Sequence, residues 1–349
     1  MDAFFASVEL RDDPALRGKP VAVAYHGPRS VVTTATYEAR AYGVHSALPL
    51  RTALRRCPHL IVIEPRMDAY REASRVVRDV FHAYALLVEP VSIDEAFLDL
   101  TEPLRGPPSA TLIARELKRE IRERTGGLTA SVGVSYCKFL SKIASGMRKP
   151  DGLTVIRPEE ADGVLAGLDI RDFYGIGPKT AERMHELGVL NGADLKQLTL
   201  SELQRHFGER SGGHYWRIAR GIDDRPVDPG EDRKSVGAEE TFDTDLRDLA
   251  RMRLALRAVA ERTATRLDRH VLAGRTVTLK VKFADFQLVT RRVTLPACVS
   301  QPDELHAVAS RLLTAELLAG RAVRLLGVTV SSLEARGGRW IQPPLFDHV

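Results

Sequence analysis

Two adjacent acids, Asp94 and Glu95, lie in the stretch Pro90-Val91-Ser92-Ile93-Asp94-Glu95-Ala96-Phe97-Leu98-Asp99-Leu100, between the largely apolar runs 86–91 and 96–100. Neighbouring side chains on a regular strand point to opposite faces, so both carboxylates reach one place only across a turn or bulge. A hairpin with the pair at its tip meets that requirement. Two clustered anions repel unless a cation lies between them, and hard oxygen donors at a strand tip suit Mg²⁺. An isolated Asp-Glu pair is more often a solvated hairpin tip, so the rest of the chain has to decide.

Three other groups of residues could handle anions. In Thr36-Tyr37-Glu38-Ala39-Arg40, a phenol and a guanidinium three positions apart share a helical face. That face can grip a triphosphate through forked bonds to its oxygens, although the tetrapeptide alone also fits a surface turn. Lys138, Lys142, Arg148 and Lys149 lie on a helix and its exit loop, where Lys149, beside the Pro150-Asp151-Gly152 turn, is placed to reach phosphate. In Gly175-Ile176-Gly177-Pro178-Lys179 the glycines and proline expose backbone N–H groups at a helix start. That arrangement reads as a helix-hairpin-helix holding a DNA phosphate without reading bases.

These groups need elements to carry them. Helices are expected over 67–87 and 110–124, the second ended by Gly126-Gly127, with a strand over 128–135. The Pro-, Asp- and Gly-rich segment 223–232 reads as a linker. Beyond it, strand 235–242, helix 245–272, strands 276–283 and 288–295, helix 302–319 and strand 323–331 form a β-α-β-β-α-β pattern. In 275–283 the apolar Val277, Leu279, Val281 and Phe283 alternate with Thr276, Thr278, Lys280 and Lys282, which puts hydroxyls and ammonium groups on one face. The next strand adds Arg291 and Arg292 to the residues expected to meet a polyanion.

Composition narrows the class. At 349 residues the chain exceeds a usual single core, so several domains are expected. No apolar run reaches the ~20 residues of a membrane helix. Cys57, Cys137 and Cys298 are odd in number and widely spaced, which fits a reduced cytoplasmic setting without disulfide or structural zinc. Net charge is +5, but residues 233–340 hold 19 Lys and Arg against 12 Asp and Glu. A basic module attached to a carboxylate-bearing one suggests a polyanionic partner.

Taken together, these stretches resemble a Y-family DNA polymerase, most closely its bacterial DNA polymerase IV group, over essentially the whole chain. The resemblance implies an α+β right-hand polymerase plus an additional DNA-binding domain. The parts would be a ferredoxin-like palm (1–3 and 68–157), fingers (4–67), a helical thumb (158–222), a linker (223–233) and a β-α-β-β-α-β little finger (234–336). Ser92-Ile93-Asp94-Glu95-Ala96 matches the catalytic palm motif, so Asp94 and Glu95 would bind two Mg²⁺ ions, with the Met1 backbone carbonyl as a further ligand. Phe4-Phe5 matches the segment whose second aromatic excludes a ribose 2′-hydroxyl. Thr34, Tyr37, Arg40 and Lys149 match residues around the incoming triphosphate. Gly175, Gly177 and Lys179 in the thumb, and Thr278, Lys280, Lys282, Arg291 and Arg292 in the little finger, would contact primer–template DNA. In the tail, Gln342, Leu345 and Phe346 resemble a Gln-x-x-Leu-Phe peptide that docks on the sliding clamp. A monomer is expected.

The match departs from the family at its first motif, where a strand ends in Val-Asp-Met-Asp-x-Phe-Phe and the first aspartate binds metal. Met1 aligns with the methionine and Asp2 with the second aspartate, which should point away from the metal site. The expectation is therefore of a truncated start, from a misassigned start codon, with Met1 at the palm rim near Asp94, a palm sheet open in its middle and impaired synthesis. Cys137 also stands where the family usually has asparagine. Two rivals follow: a non-catalytic DNA- and clamp-binding accessory protein of the same fold, and a helix-hairpin-helix glycosylase or nuclease. The second leaves the hairpin carboxylates and the tail unexplained.

Overall fold

The computed structural model describes residues 1–230 and 233–336, and the tail residues Gln342, Leu345 and Phe346 lie outside them. The chain divides into two compact units: Met1–His26 with Ser30–Gly230, and Gly27–Arg29 with the chain after Gly230.

The first unit has three cores, each built where a helical apolar stripe meets a neighbour. Helix Met67–Tyr84 buries Tyr70, Ala73, Val77, Val80, Phe81 and Tyr84, a spacing of three and four that keeps them on one face. It ends three residues before the expected 87, because Ala85 turns to extended geometry and leads into the hairpin. That face packs with helices Phe4–Asp12 and Ala110–Arg124 around Phe4, Val8, Ile113 and Ile121. A smaller core, with Ala22, Val32, Ala39 and Val44, surrounds a three-stranded sheet of Thr34–Ala35, Val21–Val23 and Ile61–Ile63. The third core, including Phe139, Phe173, Met184 and Tyr215, joins the helices that follow residue 137.

The strands of the expected palm are short and paired in twos. Val88–Pro90 runs antiparallel to Ala96–Leu98, with Glu89 opposite Phe97. Val132–Val134 runs parallel to Leu153–Val155. The expected strand 128–135 is thus only three residues long. The two ladders are separate sheets. Both line one cavity of about 800 Å³, to which they contribute Phe97, Leu98, Val132 and Gly133 among others. Val91 and Asp99 donate to Glu95 and Leu87 across the hairpin. By antiparallel alternation the N–H and C=O groups of Ala96 and Leu98 therefore face away from Val88–Pro90, at the hairpin's other edge. Gly133 is needed where it stands: a Cβ there would lie 2.0 Å from the Ser141 carbonyl oxygen, so helix Lys138–Met147 crosses this strand at backbone contact.

The expected linker is ordered at its start. The Asp223 carboxylate accepts from the Phe139 N–H at 3.0 Å, capping the helix that carries Lys142, and pairs with Arg225 at 2.6 Å. Composition marked a polar segment, and these polar side chains satisfy a helix end.

Among its described residues the second unit has one four-stranded antiparallel sheet with long strands, Ser235–Leu246, Leu272–Phe283, Leu288–Val299 and Val323–Ala335. The last strand lies between the first and second, and the third is at the edge. Helices Leu249–Arg269 and Pro302–Leu312 cover one face, burying Leu256, Val259, Leu305 and Val308 against Val277, Leu279 and Val281. The expected helix 302–319 breaks at Leu313, and a short turn of helix, Ala315–Leu318, follows.

Candidate nucleotide-binding and catalytic site

The chain folds four distant segments around one cavity of about 400 Å³. Met1, Phe4 and Phe5 come from the N-terminus, Thr34, Tyr37 and Arg40 from the small sheet and the turn after it, and Asp94, Glu95 and Lys149 from the palm. All nine residues assigned to metal and nucleotide therefore meet. Ala3, Thr33 and Ser46 complete the lining.

Asp94 and Glu95 occupy the turn between Val88–Pro90 and Ala96–Leu98, which releases them from strand alternation. Val91 and Ser92 both donate N–H groups to the Glu95 carbonyl, at 2.9 and 3.3 Å. Ser92 Oγ donates to Asp94 Oδ1 at 2.8 Å, and Ser74, from the helix beneath, donates to the Ile93 carbonyl. Three cations lie against this turn. The Met1 α-ammonium donates to the Asp94 carbonyl at 2.8 Å and is 3.8 Å from its Oδ2. Lys142 Nζ donates to Glu95 Oε2 at 2.6 Å, and Lys149 Nζ donates to the Met1 carbonyl at 3.2 Å. Burial would raise the Glu95 pKa, but the Lys142 hydrogen bond and charge more than offset it and hold the carboxyl below its usual range. Burial lowers the pKa of the Met1 ammonium, against the pull of Asp94.

Asp2 faces elsewhere. Its carboxylate is buried and accepts from Ser131 Oγ at 2.7 Å, Thr129 Oγ1 at 2.9 Å and the Asp151 N–H at 2.8 Å. Burial pushes its pKa up, and these donors together bring it below the ordinary carboxylate value. Asp2 thus ties the N-terminus to the 129–131 segment and the Asp151 turn, and it does not line the cavity. Among the described residues no group of three or more His, Cys, Asp or Glu is spaced to hold a metal ion. The oxygens of Asp94, Glu95 and the Met1 carbonyl fit one hard divalent cation by chemistry. They offer no third carboxylate to bridge to a second.

Elsewhere in the lining, Thr36 caps the short helix Tyr37–Arg40, and the Arg40 guanidinium lies 4.6 Å from the Tyr37 ring centre while its Nε donates to the Ala35 carbonyl at 3.1 Å. The Tyr37 hydroxyl is buried without a hydrogen-bond partner. An orphaned donor beside the Arg40 guanidinium, in a cavity that Lys149 also lines, suits an anion that would satisfy it.

Lys142 was named in the sequence without this partner. Its signal was legible: Lys138 and Lys142, one helical turn apart, meet Glu89 and Glu95, both at 2.6 Å, at two heights of the hairpin. Tyr70, stacked on Phe5, and Ser46 carried no signal that local spacing could reveal.

The expected DNA contacts divide between the two units. In the first, Gly175 has φ +96°, Gly177 caps helix Pro178–Glu186, and Gly175, Gly177 and Lys179 are exposed. Pro178 has no N–H and the Thr180 and Ala181 N–H groups bond the Gly177 carbonyl at 3.0 and 2.9 Å, so exposed Lys179, through its ammonium, is the residue of the first turn left to meet an anion. In the second, Thr278, Lys280 and Lys282 share the sheet face away from the helices, with Arg292 opposite Thr278. Arg291 is a correction to the sequence reading. It pairs with buried Leu279 and so stands on the other face, because adjacent residues on a strand alternate. Lys280 is already paired, with Glu239 at 2.6 Å across Gly327.

Comparison with known proteins agrees with this geometry. The impB/mucB/samB family matches residues 1–146, its C-terminal domain matches 233–342, and a DNA polymerase-iota thumb domain matches 171–223. A DNA polymerase IV from Alkalilimnicola ehrlichii is 51% identical over 334 residues, covering 95% of this chain and 93% of that protein. DNA polymerase IV 2 of Agrobacterium fabrum is 49% identical over 333 residues with the same coverage of each. Among solved structures, the Y-family DNA polymerase chimera Dbh-Dpo4(243-245)-Dbh superposes with a TM-score of 0.86 at 30% identity, covering 96% of this chain and 98% of that one. An insertion ternary complex of Dbh DNA polymerase gives 0.65 at 29% identity over the same shares. The chain belongs to the DNA polymerase IV group of Y-family translesion polymerases and is a DNA-directed DNA polymerase.

Proposed function

We propose that the cavity between Phe5, Tyr37 and the Asp94–Glu95 turn takes the incoming deoxynucleoside triphosphate, with primer–template DNA held by the helix-hairpin-helix and the polar sheet face. The observation that supports it most is the convergence of nine of the twelve lining residues with a buried, unpartnered Tyr37 hydroxyl. Arg40 and Lys149 supply positive charge for the triphosphate, Tyr37 a hydroxyl donor, and Phe5 an apolar wall where a 2′-hydroxyl would sit. Asp94, Glu95 and the Met1 carbonyl would hold Mg²⁺, which when bound makes a primer 3′-hydroxyl more acidic and neutralises a leaving pyrophosphate. Lys142 keeps Glu95 ionised and aimed at the cavity until then.

On this reading a third carboxylate beside Asp94 raises the rate of synthesis. Single-nucleotide primer extension with and without Mg²⁺ tests the reading. No Mg²⁺-dependent extension even after a third carboxylate is supplied would defeat it. That result would leave the accessory-protein reading. The tail residues Gln342, Leu345 and Phe346 are proposed to anchor on the sliding clamp. Equal clamp stimulation of the intact chain and of one lacking residues 340–349 would count against that.

A further inference from the structure

Phe5 and Glu9 are four residues apart on helix Phe4–Asp12, so they share one face of it. Both touch the same residue of helix Met67–Tyr84. The Tyr70 ring stacks on Phe5 at 4.2 Å between centres and 9° between planes, and its hydroxyl donates to Glu9 Oε1 at 2.5 Å. Glu9 and Tyr70 are both buried. A buried carboxylate needs a cation, and Arg66, one turn before Tyr70, supplies it with Nε 2.9 Å from Glu9 Oε2. Arg66 also reaches Asp12 at 2.7 Å, which closes the far end of the helix onto the same group. Tyr70 is therefore held at its hydroxyl end and presents its face to the ring that lines the nucleotide cavity.

Neither helix alone needs this arrangement. A buried phenol could bond a backbone carbonyl, and a core carboxylate is replaceable by an apolar side chain of similar volume. What the chain Arg66–Glu9–Tyr70–Phe5 achieves is restriction of one ring. An aromatic side chain at a cavity wall can swing about its first torsion, and a wall that excludes one hydroxyl must not yield by even an ångström.

We infer that Tyr70, anchored by Glu9, is the positioning residue that sets how strictly Phe5 discriminates between deoxyribose and ribose. The inference rests on the reading of Phe5 as the sugar-facing wall. It is tested on the protein–primer-template complex carrying a chain-terminated primer, by measuring equilibrium affinities for the correct dNTP and the matching rNTP, so that no chemistry is required. The Tyr70→Phe change keeps the stack and removes the anchor, and the dNTP-over-rNTP ratio falls about threefold to tenfold, the usual worth of one hydrogen bond. Tyr70→Leu removes the stack as well and lowers the ratio further. Glu9→Gln retains an acceptor for the phenol and keeps the ratio within about twofold of the unchanged chain, whereas Glu9→Leu does not.

The Phe5→Ala variant separates the two claims. If it leaves the ratio unchanged, the reading of Phe5 fails and the inference falls with it. If Phe5→Ala collapses the ratio while Tyr70→Phe and Tyr70→Leu both leave it intact, the inference alone is overturned, whatever happens to their unfolding midpoints. A lower midpoint with an unmoved ratio assigns Tyr70 to stability only.

Discussion

The palm and the sheet of the second unit use β-structure for opposite purposes. Palm strands are three residues long and pair only in twos, with an 800 Å³ cavity lined by both ladders. The second unit's strands run 12 to 13 residues in one four-stranded sheet with a continuous helix-covered core. In the long sheet, regular alternation alone puts Thr278, Lys280 and Lys282 on a single face, and the loss of any one leaves the others in place. In the palm each charge has an individual place: Asp94 against Met1, Glu95 against Lys142, and Asp2 against three donors. A phosphate backbone is a repeating ligand that a repeating surface can bind, whereas phosphoryl transfer needs a few groups held to fractions of an ångström. The palm should accordingly respond to single changes sharply and the sheet gradually.

The largest effect should come from a further carboxylate placed beside Asp94 and Glu95. Placing an apolar strand that ends in Val-Asp ahead of Met1 should pair with the free hairpin edge and bring a carboxylate beside Asp94. Mg²⁺-dependent primer extension should then rise by at least about 100-fold, the scale of one well-placed charge in a transition state. Equal rates for the two chains would show that the local pairs of charges in the palm do not limit it. In that lengthened chain, Asp94→Asn should return extension to near its starting value, read by single-turnover kinetics. A loss of less than about tenfold would remove Asp94 from the catalytic set.

The sheet should answer in smaller steps. Lys280→Ala with Lys282→Ala should weaken binding to duplex DNA and lower the slope of log affinity against log salt by about one unit for each phosphate no longer neutralised. An unchanged slope would take this face out of the interface. Glu239→Gln should act the other way and strengthen binding at low salt, since it frees the Lys280 ammonium and removes an anion from the path of a phosphate. Arg291→Ala should do less than Arg292→Ala, because the two stand on opposite faces.

The smallest effect concerns stability and pH. The folded-state pKa of Asp2 is depressed by its three donors, so its ionised form stabilises the fold above the unfolded value. That contribution should fade as pH falls through the depressed folded-state value. Asp2→Asn should cost about 1–3 kcal/mol at pH 7, the scale of disturbing one buried polar group. Thermal unfolding of the two chains should converge once the pH falls below that depressed value. A difference that persists undiminished in acid would mean that packing, rather than charge, is what Asp2 provides.

Much of the site was legible because its residues come in local patterns. The Ser92–Ala96 turn, the Tyr37–Arg40 face and Lys149 at the Pro150 turn were each marked by local spacing, the resemblance grouped them, and the fold brings them to one cavity. The alternation in 275–283 gave the sheet face directly, while the Arg291–Arg292 pair misled because adjacency in sequence was read as adjacency in space. The shortened palm strands were not foreseen, since apolar runs mark buried segments whether or not a neighbouring strand is there to pair with them.

By itself, the sequence determined which groups could do chemistry: two hard carboxylates at a turn, a phenol and guanidinium on one helical face, glycines opening a helix, and a row of cations on a strand. Those are consequences of backbone period and side-chain type, and they hold wherever the segments lie. Only the tertiary structure decided that Lys142 faces Glu95, that Asp2 turns into a polar pocket away from the cavity, and that Tyr70 links Glu9 to Phe5. Each of these pairings spans between 47 and 149 positions. Local propensity carries no information over such separations. Packing does, because a buried charge or hydroxyl must find whatever partner the fold brings within reach.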